Sequence, residues 1–262
     1  MSIYITGDTH RDFTRIVWFT ERFNTTKDDL LIILGDACIN YFEDERDQEL
    51  KAELEELPIT LMLVRGNHEA RPVPMSMGGP YSLEIVRRPE YGGTFLVEPE
   101  YPSLLFALDN AIYRLHDKEA IVYGGAYSVD KPWRLATGQK WFPDEQMNDY
   151  ELEMAFDYLV FSGSRLIKKP NIVLAHTCPY NKRPVEMFLD GVDQRTVDST
   201  MEQWFSRFIT LLPEATWYCG HWHINKIDGQ VHFLYEDIVM LEANMLEANM
   251  LQANMLEDET DE

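Results

Sequence analysis

A chain of 262 residues with 45% apolar and 26% charged side chains is long enough to bury a substantial core as one large domain. Its formal charge of −22 at pH 7 argues against a general affinity for nucleic acid or a membrane surface, which needs a basic face, although local arginine clusters could still bind phosphate. Three scattered cysteines, Cys38, Cys178 and Cys219, rule out a disulfide framework and suit small residues packed near buried strand ends in a reducing cytoplasm.

The amino terminus, MSIYITGD, enters a strand-like run with no basic leader and no long apolar stretch, so neither a signal peptide nor a membrane-spanning helix is expected. IYI (3–5) precedes the helix-like DFTRIVWFTERF, and LLIIL (30–34) precedes the helix-like EDERDQELKAELEEL; ITLMLV (59–64) follows. Short continuous apolar runs between helical segments read as β-α-β units whose strands are buried on both faces. Residues 70–117 are rich in Pro, Gly and aromatics, with TFLVE and AIYRL as candidate antiparallel strands. AIVYGGAYSVD holds another strand. PDEQMNDYELEMAFDYLVF begins with Pro143 and acidic residues, as helix starts do. NIVLA (171–175) and TWYC (216–219) read as core strands, and INKIDGQVHFL carries Asp228-Gly229 between alternating runs, a hairpin signal. Units that begin as β-α-β and finish as hairpins predict mixed sheets in a layered α/β domain.

The domain is expected to span 1–238, with 239–262 a separate acidic tail built on a five-residue repeat, MLEAN MLEAN MLQAN MLEDETDE. In a helix a five-residue step turns the apolar stripe by about 140°, which makes neither a heptad seam nor an amphipathic face. A helix packed on a neighbour and a poorly ordered extension are equal readings, and self-association is the role open to it. No chemistry is assigned to the tail.

The informative pattern is what ends each strand. IYIT runs into GDTH, placing Asp8 and His10 two apart; LLIIL runs into GDAC, with Asp36; ITLMLVR runs into GNHE, with Asn67 and His68. NIVLA runs into His176, and TWYC runs into GHWH, with His221 and His223. Ligands of open α/β sheets bind beyond the carboxyl ends of strands, so five such ends can converge on one crevice. Imidazoles with carboxylates suit zinc, iron, manganese or cobalt better than calcium or magnesium. Seven candidates (Asp8, His10, Asp36, Asn67, His176, His221, His223) are too many for one ion and suit two ions bridged by a carboxylate, an arrangement that clamps phosphoryl oxygens. The glycine before Asp8, Asp36, Asn67 and His221 fits tight turns that bring backbone close to an ion. In an extended segment His221 and His223 would project from one face. Taken singly, Asp8 and Asp36 could cap helices, His176 could be a satisfied core histidine, and the last pair could be surface residues. Their joint occurrence favours the metal site.

These blocks, D-x-H, GD, GNH, a lone H and GH-x-H, stand in that order across 8–223 and resemble the calcineurin-like metallophosphoesterase superfamily, its small bacterial and phage members in particular. The resemblance implies a four-layer α/β/β/α sandwich of two mixed sheets. It implies hydrolysis of a phosphomonoester or phosphodiester, of a small molecule or nucleotide, by a hydroxide shared between two divalent transition-metal ions. Manganese is the favoured ion, with iron, zinc, cobalt or nickel as alternatives. Asp8, His10 and His223 would hold one ion, Asn67, His176 and His221 the other, and Asp36 would bridge them. His68 would stand outside the metal shell and protonate the leaving group, worth roughly 10²–10⁴-fold. Two divalent ions against two aspartates leave the site cationic, which reconciles an acidic chain with an anionic substrate. Arg11 and Arg71, beside the first and third blocks, are candidates for bidentate phosphate contact, as Asn67 is for substrate contact; solvated loop arginines are the alternative. Glu69 is read as ordering its loop, Trp222 as packing away from the histidines, and Arg134 as walling a pocket. His116 and His232 fit no block. The GDACINY stretch lacks the D-R-G of the Ser/Thr protein phosphatase branch, which weakens that alternative. A non-catalytic scaffold of the same fold is the reading from another class.

Overall fold

The computed structural model describes residues 1–79, 81–162 and 168–242. The first apolar runs form β1 (Ile3–Thr6), β2 (Leu30–Ile33) and β3 (Thr60–Leu63), with α1 (Thr14–Phe23) and α2 (Glu45–Glu55) between them. Then come β4 (Glu84–Arg88), β5 (Gly93–Val97), β6 (Leu104–Ala107), β7 (Ile112–Leu115) and β8 (Lys118–Tyr123). The short helix α3 (Lys131–Thr137) and α4 (Asp149–Phe161) lead to β9 (Ile172–Ala175), α5 (Thr200–Leu211) and β10 (Thr216–Cys219). The chain continues through β11 (Lys226–Asp228), β12 (Val231–Phe233) and β13 (Ile238–Met240).

One sheet runs β13-β1-β2-β3-β6-β5-β4 and the other β11-β12-β10-β9-β8-β7. Both are mixed: β1, β2, β3 and β6 are parallel, as are β8, β9, β10 and β12, while the outer strands pair antiparallel. Alternation along the strands sorts their side chains into layers. Ile3, Ile5, Leu30 and Ile32 meet Ala120, Val122, Ile172 and Leu174 between the sheets. Tyr4, Leu31 and Ile33 instead pack under Ile16 and Phe19 of α1 and Leu54 of α2. Ile121, Tyr123 and Val173 pack under Leu159 of α4 and Phe205 and Phe208 of α5. The order is helix, sheet, sheet, helix, the four-layer sandwich. Central strands read as unbroken apolar runs because both their faces are covered.

Three details differ from the sequence reading. α4 starts at Asp149, well after Pro143, because Asn148 and Glu151 form a reciprocal capping box that fixes the first turn there. β4, β6 and α5 had not been assigned; α5 turns Met201, Phe205 and Phe208 into the core at helical spacing. β13 pairs antiparallel with β1 and Leu241 is buried, so the sandwich takes in the first residues of the segment read as tail. The remaining repeat, from 243 onward, lies outside the described residues. The Asp228-Gly229 hairpin forms between β11 and β12, with Gly229 at φ +63°. Among the described residues no helix is long and apolar enough to cross a membrane.

Candidate metal centre

Each ligand candidate stands on the loop that leaves a parallel strand. Asp8 and His10 follow β1, Asp36 follows β2, Asn67 and His68 follow β3, His176 follows β9, and His221 and His223 follow β10. Loops from both sheets meet, and donor atoms fall within 4.8 Å of one another in three overlapping groups: Asp8, His10 and His223; Asp8, Asp36 and His176; His10, Asp36 and His68. Asp8 Oδ2 is 3.2 Å from His223 Nε2 and 3.7 Å from His10 Nε2. Asp36 Oδ1 is 3.5 Å from His176 Nε2, and the ring centres of His176 and His221 are 5.0 Å apart. His116 and His232 join none of these groups.

The donor chemistry fits cations. His176 Nδ1 donates to the Leu34 carbonyl at 2.7 Å, so in the neutral ring Nε2 carries a lone pair. That lone pair faces Asn67 Oδ1 at 2.8 Å, and Asn67 Oδ1 is an acceptor too, because Asn67 Nδ2 donates to Ser128 Oγ. His10 Nε2 and His223 Nε2 stand 2.9 Å apart, so either one donates to the other or a cation lies between them. Acceptors aimed at each other at such distances repel unless a proton or cation lies among them. Asp8 Oδ2 adds a buried carboxylate oxygen whose polar neighbours are the imidazole nitrogens of His223 and His10.

Backbone geometry holds this arrangement together. His10 (φ +47°), Asp36 (+47°), His221 (+67°) and His223 (+47°) are all left-handed, which costs a non-glycine residue about 1 kcal/mol or more and persists where surroundings enforce it. His221 and His223 therefore reach the site from a tight turn, not from the extended segment expected. The turn sends His221 toward His176 and His223 toward His10. Two glycines are required by close approach: a Cβ on Gly66 would overlap Asp36 Oδ1, and one on Gly220 would overlap Asp8 Oδ1. The same loops orient those carboxylates, since His68 N donates to Asp36 Oδ1 and His221 N to Asp8 Oδ1, each at 2.8 Å.

Electrostatics set the protonation states. Burial alone would raise both aspartates. His176 and His223 outweigh it at Asp8, while His176, His68 and His10 outweigh it at Asp36, so both lie below the usual carboxylate range. Burial, helped by His176, pushes His221 down to about 3. The hydrogen bond to Asp8 raises His223. Burial lowers His68, with Arg134 acting in the same direction and Asp36 opposing. Two ionised carboxylates beside a neutral His221 are the forms that bind metal.

The arginines divide differently from expectation. Arg11 Nη1 donates to Asp47 Oδ1 at 2.7 Å and to the Cys38 carbonyl at 2.8 Å, while its Nη2 takes the Arg46 carbonyl. Arg71 Nη2 is shared by Asp109 and Glu151 at 2.9 and 2.6 Å. Neither borders the cleft in front of the metal ligands; buried or half-buried carboxylates hold both. The guanidinium that reaches His68 is Arg134, whose Nη2 is 3.0 Å from His68 Nδ1 and whose Nε donates to Asp130 Oδ2 at 2.7 Å. Glu69 accepts from Gly66 N at 2.7 Å and Cys38 N at 3.0 Å, tying two loops together, and burial pushes it up to about 8. Sequence reasoning missed Ser128, Asp130 and Glu145. Ser128 Oγ receives Asn67 Nδ2 at 2.9 Å and donates to Glu145 Oε2 at 2.6 Å, which fixes the amide's orientation. The signal was present: Gly124-Gly125 ends β8 much as a glycine ends β1 and β2.

The calcineurin-like phosphoesterase profile matches residues 1–225. No curated protein matches the sequence. One solved chain is 10% identical at a TM-score of 0.48, over 93% of this chain and 99% of that one. A protein of unknown function from Aquifex aeolicus is 14% identical at a TM-score of 0.32, over 70% and 81%. Resemblances this remote carry no function. The profile match, by contrast, spans every block of the metal centre, and the chain belongs to the calcineurin-like phosphoesterase family.

Proposed function

We propose that this protein is a dinuclear-metal phosphoester hydrolase acting on a phosphomonoester or phosphodiester of a small molecule or nucleotide. The observation that supports it most is the gathering of Asp8, His10, Asp36, His68, His176 and His223 donor atoms within 4.8 Å in three overlapping groups. Asp8, His10 and His223 would hold one ion; Asn67, His176 and His221 the other; Asp36 would bridge. When bound, two divalent ions supply Lewis acidity and a water acidic enough to ionise near neutral pH. Manganese is the first ion to test, before iron, zinc, cobalt and nickel.

The remaining work falls to the chain. His68 is partly exposed at the cleft, where its imidazole could protonate the leaving oxygen. Arg134 and Asp130 flank the ring and limit its orientations. Arg183 borders the cleft, whereas Arg134 approaches the site only through His68. Ser128 and Glu145 keep Asn67 Oδ1 turned toward the centre. The Asp36 and Asp8 carboxylates are held by backbone N–H groups, so binding an ion needs little reorganisation. The test is hydrolysis of p-nitrophenyl phosphate and bis-p-nitrophenyl phosphate with manganese, beside Asp36→Asn. With metal shown to be bound, failure of the native protein to exceed that variant on any ester would sink the reading.

A further inference from the structure

His223 is the most exposed of the seven ligand candidates, with 44% of its side chain accessible against 31% for His10 and none for His176. His176 is oriented by its far nitrogen, which donates to the Leu34 carbonyl, as metal-bound imidazoles commonly are. Among the described residues nothing bonds Nδ1 of His223. Both of its polar contacts, Asp8 Oδ2 at 3.2 Å and His10 Nε2 at 2.9 Å, fall on Nε2, the atom that would take the ion. A ring held only by the atom it must hand over needs something else to fix its plane.

One face of that ring is covered. Tyr235 stacks on it with ring centres 4.7 Å apart and planes inclined by 23°, while His10 meets it edge-on at 4.9 Å. Tyr235 lies in the connection between β12 and β13, and its backbone is tied down from both sides. Its N–H donates to Asn225 Oδ1 at 2.7 Å, two residues beyond His223. Its carbonyl accepts from Arg15 Nη2 at 3.0 Å, and the same Nη2 donates to the Asp8 carbonyl at 2.7 Å. Two residues on, the Asp237 carbonyl accepts from Thr6 Oγ1 at 2.9 Å. Tyr235 is thereby fixed relative to both the Asp8 loop and the His223 turn. A face-to-face stack sets the plane of an imidazole and leaves its in-plane nitrogens free.

Resting on the phosphoesterase reading, we propose that Tyr235 is a positioning residue for the ion assigned to Asp8, His10 and His223, its ring fixing the plane of His223 so that Nε2 faces the site. The flat face does this, and the phenol oxygen takes no part. The test is calorimetric titration of manganese into the metal-free full chain. Tyr235→Ala should weaken one of the two binding steps about tenfold and leave the other unchanged. Tyr235→Leu, which keeps bulk without a flat face, should behave in the same way, whereas Tyr235→Phe should stay within about twofold of native. His223→Ala should weaken the same step, and adding Tyr235→Ala to it should change nothing more, because the ring acts through His223. A merely structural role would weaken both steps or add to the loss in His223→Ala. A substrate contact would raise KM at saturating manganese with both steps intact. Either result overturns the proposal, as does a Tyr235→Phe variant as weak as Tyr235→Ala. Should the native chain bind no manganese, the phosphoesterase reading fails by itself, and proton NMR of the metal-free protein decides Tyr235 separately. The ring-current shift of the His223 ring protons should persist in Tyr235→Phe and vanish in Tyr235→Ala; His223 signals unmoved in both variants refute the proposal.

Discussion

Asp8 and Asp47 are both buried aspartates, and the chain surrounds them in opposite ways. Asp47, in the first turn of α2, accepts from Phe42 N, Glu43 N, Tyr81 Oη and Arg11 Nη1 at 2.9, 2.7, 3.0 and 2.7 Å. One turn later the buried Lys51 pairs with buried Glu98 and sits 3.7 Å from the Tyr81 ring centre. Every charge in that cluster finds its counterpart within the protein. Asp8 has one backbone N–H on Oδ1 and nothing but imidazoles near Oδ2. A buried charge that the chain completes is architecture; one that it leaves open can take an ion. The contrast also explains Arg11, which follows the D-x-H block in sequence but belongs to the completed cluster in space.

Substitutions can break that contrast or sharpen it. The largest effect should come from Asp36→Asn, with kcat on p-nitrophenyl esters falling about 10³-fold or more if it bridges two ions. Isothermal titration with manganese should show the lost site in the same variant. Next, Lys51→Ala should cost about 3–5 kcal/mol of unfolding free energy, because it strands buried Glu98 without a cation. Urea denaturation of metal-free protein measures this, and kcat/KM should be unaltered wherever the variant is folded. The sharpest comparison is a matched pair in metal-free protein. Asp8→Asn should lower stability only slightly, by about 1 kcal/mol or less, because its lowered pKa shows the carboxylate to be mildly favoured in the fold, while Asp47→Asn should lower it by about 2 kcal/mol. Equal losses in the two would abolish the distinction between open and completed charge. The smallest effect concerns Arg11→Ala, expected to lower stability by about 1–2 kcal/mol with KM within about twofold of native. A several-fold rise in KM would return Arg11 to the substrate.

The convergence of the candidate ligands was legible because its signal is local: an apolar run, a glycine, then a polar residue, repeated in GDTH, GDAC and GNHE and echoed before His221. A layered α/β domain followed from runs such as LLIIL, whose continuity reports cover on both faces; the four-layer order came only with the family resemblance. Partnership across the fold was not legible. Arg11, Arg71 and Arg134 look alike along the chain, and only the folded positions of Asp47, Asp109 and His68 separate them. Glu145 reaches Asn67 through Ser128, a relation that no spacing encodes. The GHWH turn was misjudged because TWYC invites continuation as a strand, whereas Gly220 sits where any side chain would collide with Asp8. α5 was missed although Met201, Phe205 and Phe208 recur at helical spacing and Asp198 marks its start, its Oδ1 accepting from Thr200 N at 3.0 Å.

Asp8, Asp36 and Asn67 hang from one sheet, and His176, His221 and His223 from the other. Ions gripped by all six would therefore rivet the sandwich along one edge, and any slip of one sheet across the other would have to stretch coordinate bonds. Amide hydrogen exchange in β1 and β10 should slow together as manganese is added. In such a molecule the resistance to shear becomes a readout of how much cation the surroundings provide.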